Sequence, residues 1–93
     1  MNPKAMLVEL ERVAAAVDVK VSVESIATSV MRGGLCRVKG QYRVILDKRL
    51  APEERVTTLA ESLARFDWAK VEDIPEAVHS LLQYYSHRLL AAS

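Results

Sequence analysis

Two short segments of β type, followed at once by an amphipathic helix, constrain the fold of this chain most. Residues 35–38 and 42–46 are rich in strand-forming side chains and flank Lys39-Gly40-Gln41, a combination that predicts a β-hairpin. The helix that follows has one apolar face, which needs a partner to bury it. We therefore expect a sheet with this helix packed on its apolar side, an arrangement of the α+β class.

The length of the hairpin turn decides which side chains share a face of the sheet. We favour a three-residue turn, Lys39-Gly40-Gln41, because a two-residue turn would divide the apolar side chains between the two faces. The three-residue turn predicts one apolar face formed by Cys36, Val38, Tyr42 and Val44. It also sets Arg37 beside Arg43, and this contact between like charges is mildly unfavourable unless acidic groups or solvent surround it.

The helix after the hairpin is predicted from Pro52 to about Phe66. Proline suits the first helical position, and the two glutamates that follow it meet the positive end of the helix dipole. Ala51 stands at the N-cap position, where a side chain that accepts a hydrogen bond is usual. Apolar side chains at spacings of three and four form one buried stripe: Val56, Leu59, Ala60, Leu63 and Ala64.

The rest of the chain predicts one more strand and two more helices. A helix begins at Asn2-Pro3, and alternation over Val17, Val19, Val21 and Val23 predicts a half-buried strand. Residues 25–32 predict a loop, and a third helix begins at Pro75 and ends near Leu90. The prediction is a single α+β domain over residues 1–93, with an N-terminal helix, a small antiparallel or mixed three-stranded sheet and two C-terminal helices.

Composition and charge exclude several classes of protein. A net charge of +1 gives no overall attraction to nucleic acid or anionic lipid. A single cysteine, Cys36, excludes a disulfide framework within the chain and favours a reducing, cytoplasmic setting. The apolar residues of the N-terminal segment are interrupted by charges, so we expect neither a signal peptide nor a membrane span.

The order of residues in the central stretch resembles a known family. The pattern GG-LCRVKG-YRVILDKRL-PEE-R-TLAE is similar to the core of the zinc metallopeptidases that cleave phage repressors and stress-response regulators, the ImmA/IrrE type. In that family a glycine-led strand pair precedes a TLAHELGH-like helix, and the similarity covers roughly half of the chain. The resemblance implies a His-Glu-x-x-His run, in which two histidines bind zinc and the glutamate acts as general base.

The residues that this chemistry requires are replaced here. Thr58-Leu59-Ala60 keeps the lead-in, but Glu61, Ser62 and Arg65 stand where the first histidine, the glutamate and the second histidine would be. A guanidinium group has no lone pair to give to a metal. An ion pair between Glu61 and Arg65, one helical turn apart, is the simplest structural interpretation. We expect a degenerate site with no catalytic residue, no metal and no cofactor.

Basic residues cluster on and around the predicted hairpin. They are Arg32, Arg37, Lys39, Arg43, Lys48 and Arg49, and Asp47 is the only acidic residue among them. A solvated face and a docking patch for an acidic partner both fit this pattern. Nucleic acid is the weaker alternative, because no helix-turn-helix, zinc-finger or RNP-type motif accompanies the cluster.

The other titratable side chains give weaker signals. His79 and His87 lie two helical turns apart, too far for both to bind one ion, so we interpret them as polar-face residues. Cys36 lacks a neighbouring base in the sequence and is interpreted as a small buried side chain. Three apolar residues lie off the predicted stripes and suggest contact with another subunit: Val8, Tyr84 and Leu90.

These observations together favour a function without catalysis. We expect a protein-interaction or regulatory module, built on a degenerate metallopeptidase-like core, that binds another protein and assembles as a homo-oligomer. The alternatives are a nucleic-acid accessory protein that uses the basic hairpin and a hydrolase whose site the sequence does not reveal.

Overall fold

A computed structural model describes the backbone of residues 1–25 and 33–92 and the side chains of residues 1–25 and 34–89. The predicted loop at 25–32 therefore lies, from residue 26 onward, outside the described residues. Arg32 and the side chain of Leu90 also lie outside them.

The order of elements confirms the predicted α+β class. Helix α1 leads into strand β1, a hairpin follows, and the remaining helices come after it. The elements are α1 (Pro3–Ala16), β1 (Val19–Glu24), β2 (Gly33–Val38), β3 (Gln41–Asp47), α2 (Pro52–Leu63), a 3₁₀ turn (Trp68–Lys70) and α3 (Glu76–Ala92). Val17, expected in the first strand, instead caps the C-terminus of α1.

The sheet is mixed, with β3 in its centre. The strand order is β1-β3-β2, and β3 pairs with β1 in parallel and with β2 in antiparallel orientation. Residues directly opposite one another share a face, so the register assigns every side chain to one side of the sheet. Val21 lies beside Val44 on β3, and Leu35 lies on the other side of Val44.

The predicted three-residue turn is wrong. Val38 pairs directly with Gln41, which leaves Lys39 and Gly40 as a two-residue turn. Both have positive φ, 51° and 81°, as a type I′ turn requires. This turn has the twist that matches the flanking strands, and that match outweighs the cost of a left-handed lysine.

The shorter turn redistributes the hairpin side chains. Tyr42 and Val44 face the helices, whereas Cys36 and Val38 lie on the opposite face. Arg37 is opposite Tyr42, and Arg43 is opposite Cys36. The two arginines are therefore on different faces of the sheet and not side by side.

Helices α1 and α2 pack on one face of the sheet. Helix α1 contacts β1, α2 contacts β2 and β3, and α3 packs on α1 and α2. The largest side chains in the core are fully buried: Leu10, Val13, Val44, Leu46, Leu59, Leu63, Val78 and Leu82. Lys20, Arg43 and Val38 lie on the other face, which no described helix covers.

Polar contacts join the ends of the chain to this core. The Arg12 guanidinium on α1 donates to the carbonyl oxygens of Glu72 and Asp73, at 3.1 and 2.6 Å, just before α3. Trp68 is 8% exposed, and its indole N–H donates to the Ser86 hydroxyl on α3 at 2.9 Å. Helices α1 and α3 are thereby tied to the connection that follows α2.

The start of α2 lacks half of its cap. The carboxylate of Glu54 accepts a hydrogen bond from the Ala51 N–H at 3.0 Å, but Ala51 has no side chain that could accept one in return.

We expect Ala51→Ser to raise the free energy of unfolding by about 1 kcal/mol, because the serine hydroxyl would accept a hydrogen bond from a backbone N–H in the first turn of α2. The urea midpoint measures this change, and Ala15→Ser, at an exposed position of α1, is the control. An unchanged or lower midpoint for Ala51→Ser would contradict the cap assignment.

Candidate functional site

Glu61, Ser62 and Arg65 border a groove between α2 and the edge strand β2. The groove measures about 350 Å³ and is lined by Gly34, Leu35, Thr58, Glu61, Ser62 and Arg65. Helix α2 presents Thr58, Glu61 and Ser62, and Arg65 lies in the turn that follows its last residue. The structure thus places Glu61, Ser62 and Arg65 around one groove.

The groove has little of the chemistry that hydrolysis requires. The Ser62 hydroxyl, 7% exposed, donates to the Thr58 carbonyl oxygen at 2.8 Å and is held against its own helix. Glu61 and Arg65 are both exposed, and the expected ion pair between them does not form. Of the described residues in the lining, Glu61 alone carries a carboxylate. Among the described residues, no three His, Cys, Asp or Glu side chains are grouped so that they could hold a metal ion.

The histidines on α3 lie apart from this groove. His79 packs its ring edge-on against Trp68, with the centroids 5.1 Å apart. His87 is exposed further along the helix. Neither lines the groove between α2 and β2.

The predicted basic cluster divides between the two ends of β3. Lys39 is in the turn before the strand, whereas Lys48 and Arg49 follow its last residue. Seven residues of strand separate these ends by about 20 Å. The described members of the cluster therefore do not form one continuous patch.

Arg49 has a structural partner. Its guanidinium binds the buried Asp47 carboxylate through both oxygens, with a shortest distance of 2.6 Å. Hydrogen bonds from the Arg49 side chain and backbone lower the pKa of Asp47 from 3.8 to about 2. Arg49 thus neutralises a buried charge at the end of β3.

The opposite end of β3 carries the more open group of cations. Arg37, Val38, Lys39, Tyr42 and Arg43 surround the turn and are called the hairpin tip below. Val38 and Tyr42 are 48% and 38% exposed, although both are large and apolar. The Arg37 guanidinium lies 5.3 Å from the centre of the Tyr42 ring, a cation–π contact, and Tyr42 in turn packs edge-on against Phe66.

The cations of the hairpin tip lack acidic partners. No described Asp or Glu forms an ion pair with Arg37, Lys39 or Arg43. Lys20 of β1 lies beside Arg43 in the parallel register and adds a further positive charge. Lys20 was not among the predicted basic residues, because only the parallel pairing of β1 with β3 brings it beside Arg43. The alternation of β1 identified its face but not its neighbour.

Cys36 and the residues expected at a subunit contact occupy separate places. Cys36 is half-buried on the uncovered sheet face, opposite Arg43. Val8 on α1 is 62% exposed, and Tyr84 on α3 is 53% exposed. Arg88 donates to the Tyr84 hydroxyl at 3.2 Å, so part of that surface is already occupied within the chain.

The chain matches no protein family, no curated protein and no solved structure in comparisons with known proteins. Within the described part of the chain, no helix combines the length and the apolar character needed to cross a bilayer.

We predict that zinc does not stabilise the folded chain. A site occupied at a hundredfold excess over its dissociation constant would add about 2.7 kcal/mol, or about 10 °C or more in Tm for a domain of this size. Among the described residues that line the groove, Glu61 is the only carboxylate and Arg65 has no lone pair for a metal, so we expect no shift in thermal denaturation and no stoichiometric zinc in protein purified without a histidine tag. One zinc per chain that is lost in Glu61→Ala would contradict this prediction.

The Asp47–Arg49 pair predicts a specific loss of stability in acid. The pKa of Asp47 is lowered in the folded chain, so its ionised form stabilises the fold above about pH 4, and this contribution is lost as the pH falls toward 2. We expect Asp47→Asn to lower the urea midpoint at pH 6 and to flatten its decline between pH 4 and 2. Asp67→Asn, which breaks an exposed pair with Lys70, should leave that decline unchanged. Equal slopes for Asp47→Asn and wild type would refute the assignment.

Proposed function

We propose that the chain is a non-catalytic protein-interaction module that binds an acidic surface of another protein through its hairpin tip. The observation that carries the proposal is the composition of this tip: three cations without acidic partners among the described residues accompany the exposed side chains of Tyr42, on the helix side of the sheet, and Val38, on the other side. Arginine and tyrosine are enriched where proteins bind one another, since each combines apolar area with a hydrogen-bonding group.

The geometry of the tip suits recognition of a carboxylate. Stacking against the Tyr42 ring restricts Arg37, so less side-chain freedom is lost when its planar guanidinium binds two carboxylate oxygens. Phe66 supports Tyr42 from the side of α2, which fixes the ring to the core. Arg43 and Lys39 extend the positive surface around the turn and favour encounter with an acidic partner.

The groove between α2 and β2 supports the non-catalytic part of the proposal. A hydrolase would need a nucleophile or an activated water beside a general base. In this groove the Ser62 hydroxyl donates its hydrogen bond to the Thr58 carbonyl oxygen. The nearby guanidinium of Arg65 is already protonated and cannot accept a proton. This combination of groups favours a binding role for the chain.

Charge reversal at the tip tests the proposed function. We expect Arg37→Glu/Lys39→Glu to abolish co-purification of the partner from the native host and to weaken binding of the purified partner at least tenfold. The fold should survive, because exposed charges contribute little to stability. The matched control is Lys48→Glu/Arg88→Glu, which makes the same change in net charge at exposed positions after β3 and on α3.

Three results would contradict the proposal. The first is a tip variant that keeps full affinity for the partner. The second is a control variant that loses as much affinity as the tip variant. The third is binding of a short DNA or RNA duplex by the wild-type chain, with an affinity that falls steeply and log-linearly as salt is added. The third result would favour the nucleic-acid alternative, and fluorescence anisotropy at low and physiological salt measures it directly.

A further inference from the structure

Strand β1 has a free side. Val19–Glu24 pairs with β3 along one side, and no strand in the described ranges pairs with the other. The N–H and C=O groups along such a side can pair with a further strand. Its helix-facing side chains become more exposed along the strand, from Val19 at 3% to Val23 at 47%. The free side of β1 thus combines unpaired backbone groups with exposed apolar area.

We propose that β1 pairs with the same strand of a second copy of the chain, in antiparallel orientation about a two-fold axis at Ser22. Ser22 then lies opposite the partner's Ser22, and the two three-stranded sheets become one sheet of six strands. In this register Val21 faces the partner's Val23 on the helix side. The dimer does not depend on the function proposed for the hairpin tip.

The charges of β1 are self-complementary in this register. Lys20 faces the partner's Glu24 across the new strand pair, and the axis makes the contact twice. In the isolated chain Lys20 lies beside Arg43 and has no acidic partner among the described residues. The Glu24 carboxylate accepts a hydrogen bond from the Ser22 hydroxyl, at 2.7 Å, and no cation among the described residues pairs with it. Pairing with a second copy supplies the missing counter-charge for each Lys20.

The nearest alternative register lacks this complementarity. Placing the axis at Val21 keeps the two faces but sets Glu24 against the partner's Asp18, a contact between like charges, and Lys20 against the partner's Ser22. A shift of the pairing by a single residue would place valines opposite polar side chains on every row. The axis at Ser22 is therefore the register that the strand sequence favours.

Helix α1 adds a second self-complementary strip beside the strand. Glu11 and Ala15 line a groove with β1, and Lys4 lies seven residues before Glu11 on the same side of the helix. The same axis makes α1 and its copy antiparallel, so Lys4 of each chain approaches the partner's Glu11. Val8, 62% exposed, lies between these two positions and supplies apolar area at the contact.

A charge swap tests the pairing by analytical ultracentrifugation. We expect a dimer whose dissociation constant rises about tenfold in Lys20→Glu or in Glu24→Lys alone, because each change places like charges opposite one another at two symmetric positions. The combined variant, Lys20→Glu/Glu24→Lys, should restore the affinity to within about threefold of wild type. Val23→Asp should abolish the dimer, and Val38→Asp, a similarly exposed valine on the opposite edge strand, should not.

Cross-linking tests the register. In a Cys36→Ser background, Ser22→Cys places two thiols directly opposite one another at a distance that a disulfide can span, so mild oxidation should give a covalent dimer. Val38→Cys in the same background should stay monomeric on a denaturing gel. The proposal would be overturned if the chain sedimented as a monomer at all concentrations or if Ser22→Cys failed to cross-link. A dimer whose dissociation constant is the same in the single and combined charge variants as in wild type would also overturn it.

Discussion

Burial of the apolar stripe of α2 is the interaction on which the remaining layers depend. Leu59 and Leu63 are fully buried, and the helix that carries them contacts the sheet on one side and both other helices around it. A fully buried leucine contributes about 1.5–3 kcal/mol relative to an exposed one, so these two positions alone supply much of the net stability of a small domain. The position of α2 also determines which face of the sheet is covered and which is left to solvent.

The buried sides of α2 and β1 were predictable, because local patterns specify them. The stripe of α2 and the alternation of β1 each identify a buried side without knowledge of the neighbours. The helix was predicted to end near Phe66 and ends at Leu63, after which Phe66 is free to pack against Tyr42. Ends of helices depend on such tertiary contacts, which the order of residues does not reveal.

The hairpin register was not predictable for a physical reason. A type I′ turn is usually signalled by Asn-Gly, because asparagine tolerates a positive φ, whereas the first turn residue here is Lys39. Without that signal, a three-residue turn was predicted, because it would give the hairpin one continuous apolar face. The two-residue turn exposes Val38 on the uncovered face and places the Arg37 guanidinium over the Tyr42 ring. This turn therefore interrupts the expected apolar face of the hairpin and also forms the surface used by the proposed function.

The contact of Arg12 with Glu72 and Asp73 has a consequence for synthesis of the chain on the ribosome. About sixty further residues must be added after Arg12 before the two residues that accept its hydrogen bonds are synthesised. This takes roughly 3–12 s at 5–20 residues per second. For most of that time α2, which contacts α1, is incomplete, and α3 has not begun. The apolar side of α1 therefore stays partly uncovered until both later helices have been synthesised, and in that interval it can bind other apolar surfaces.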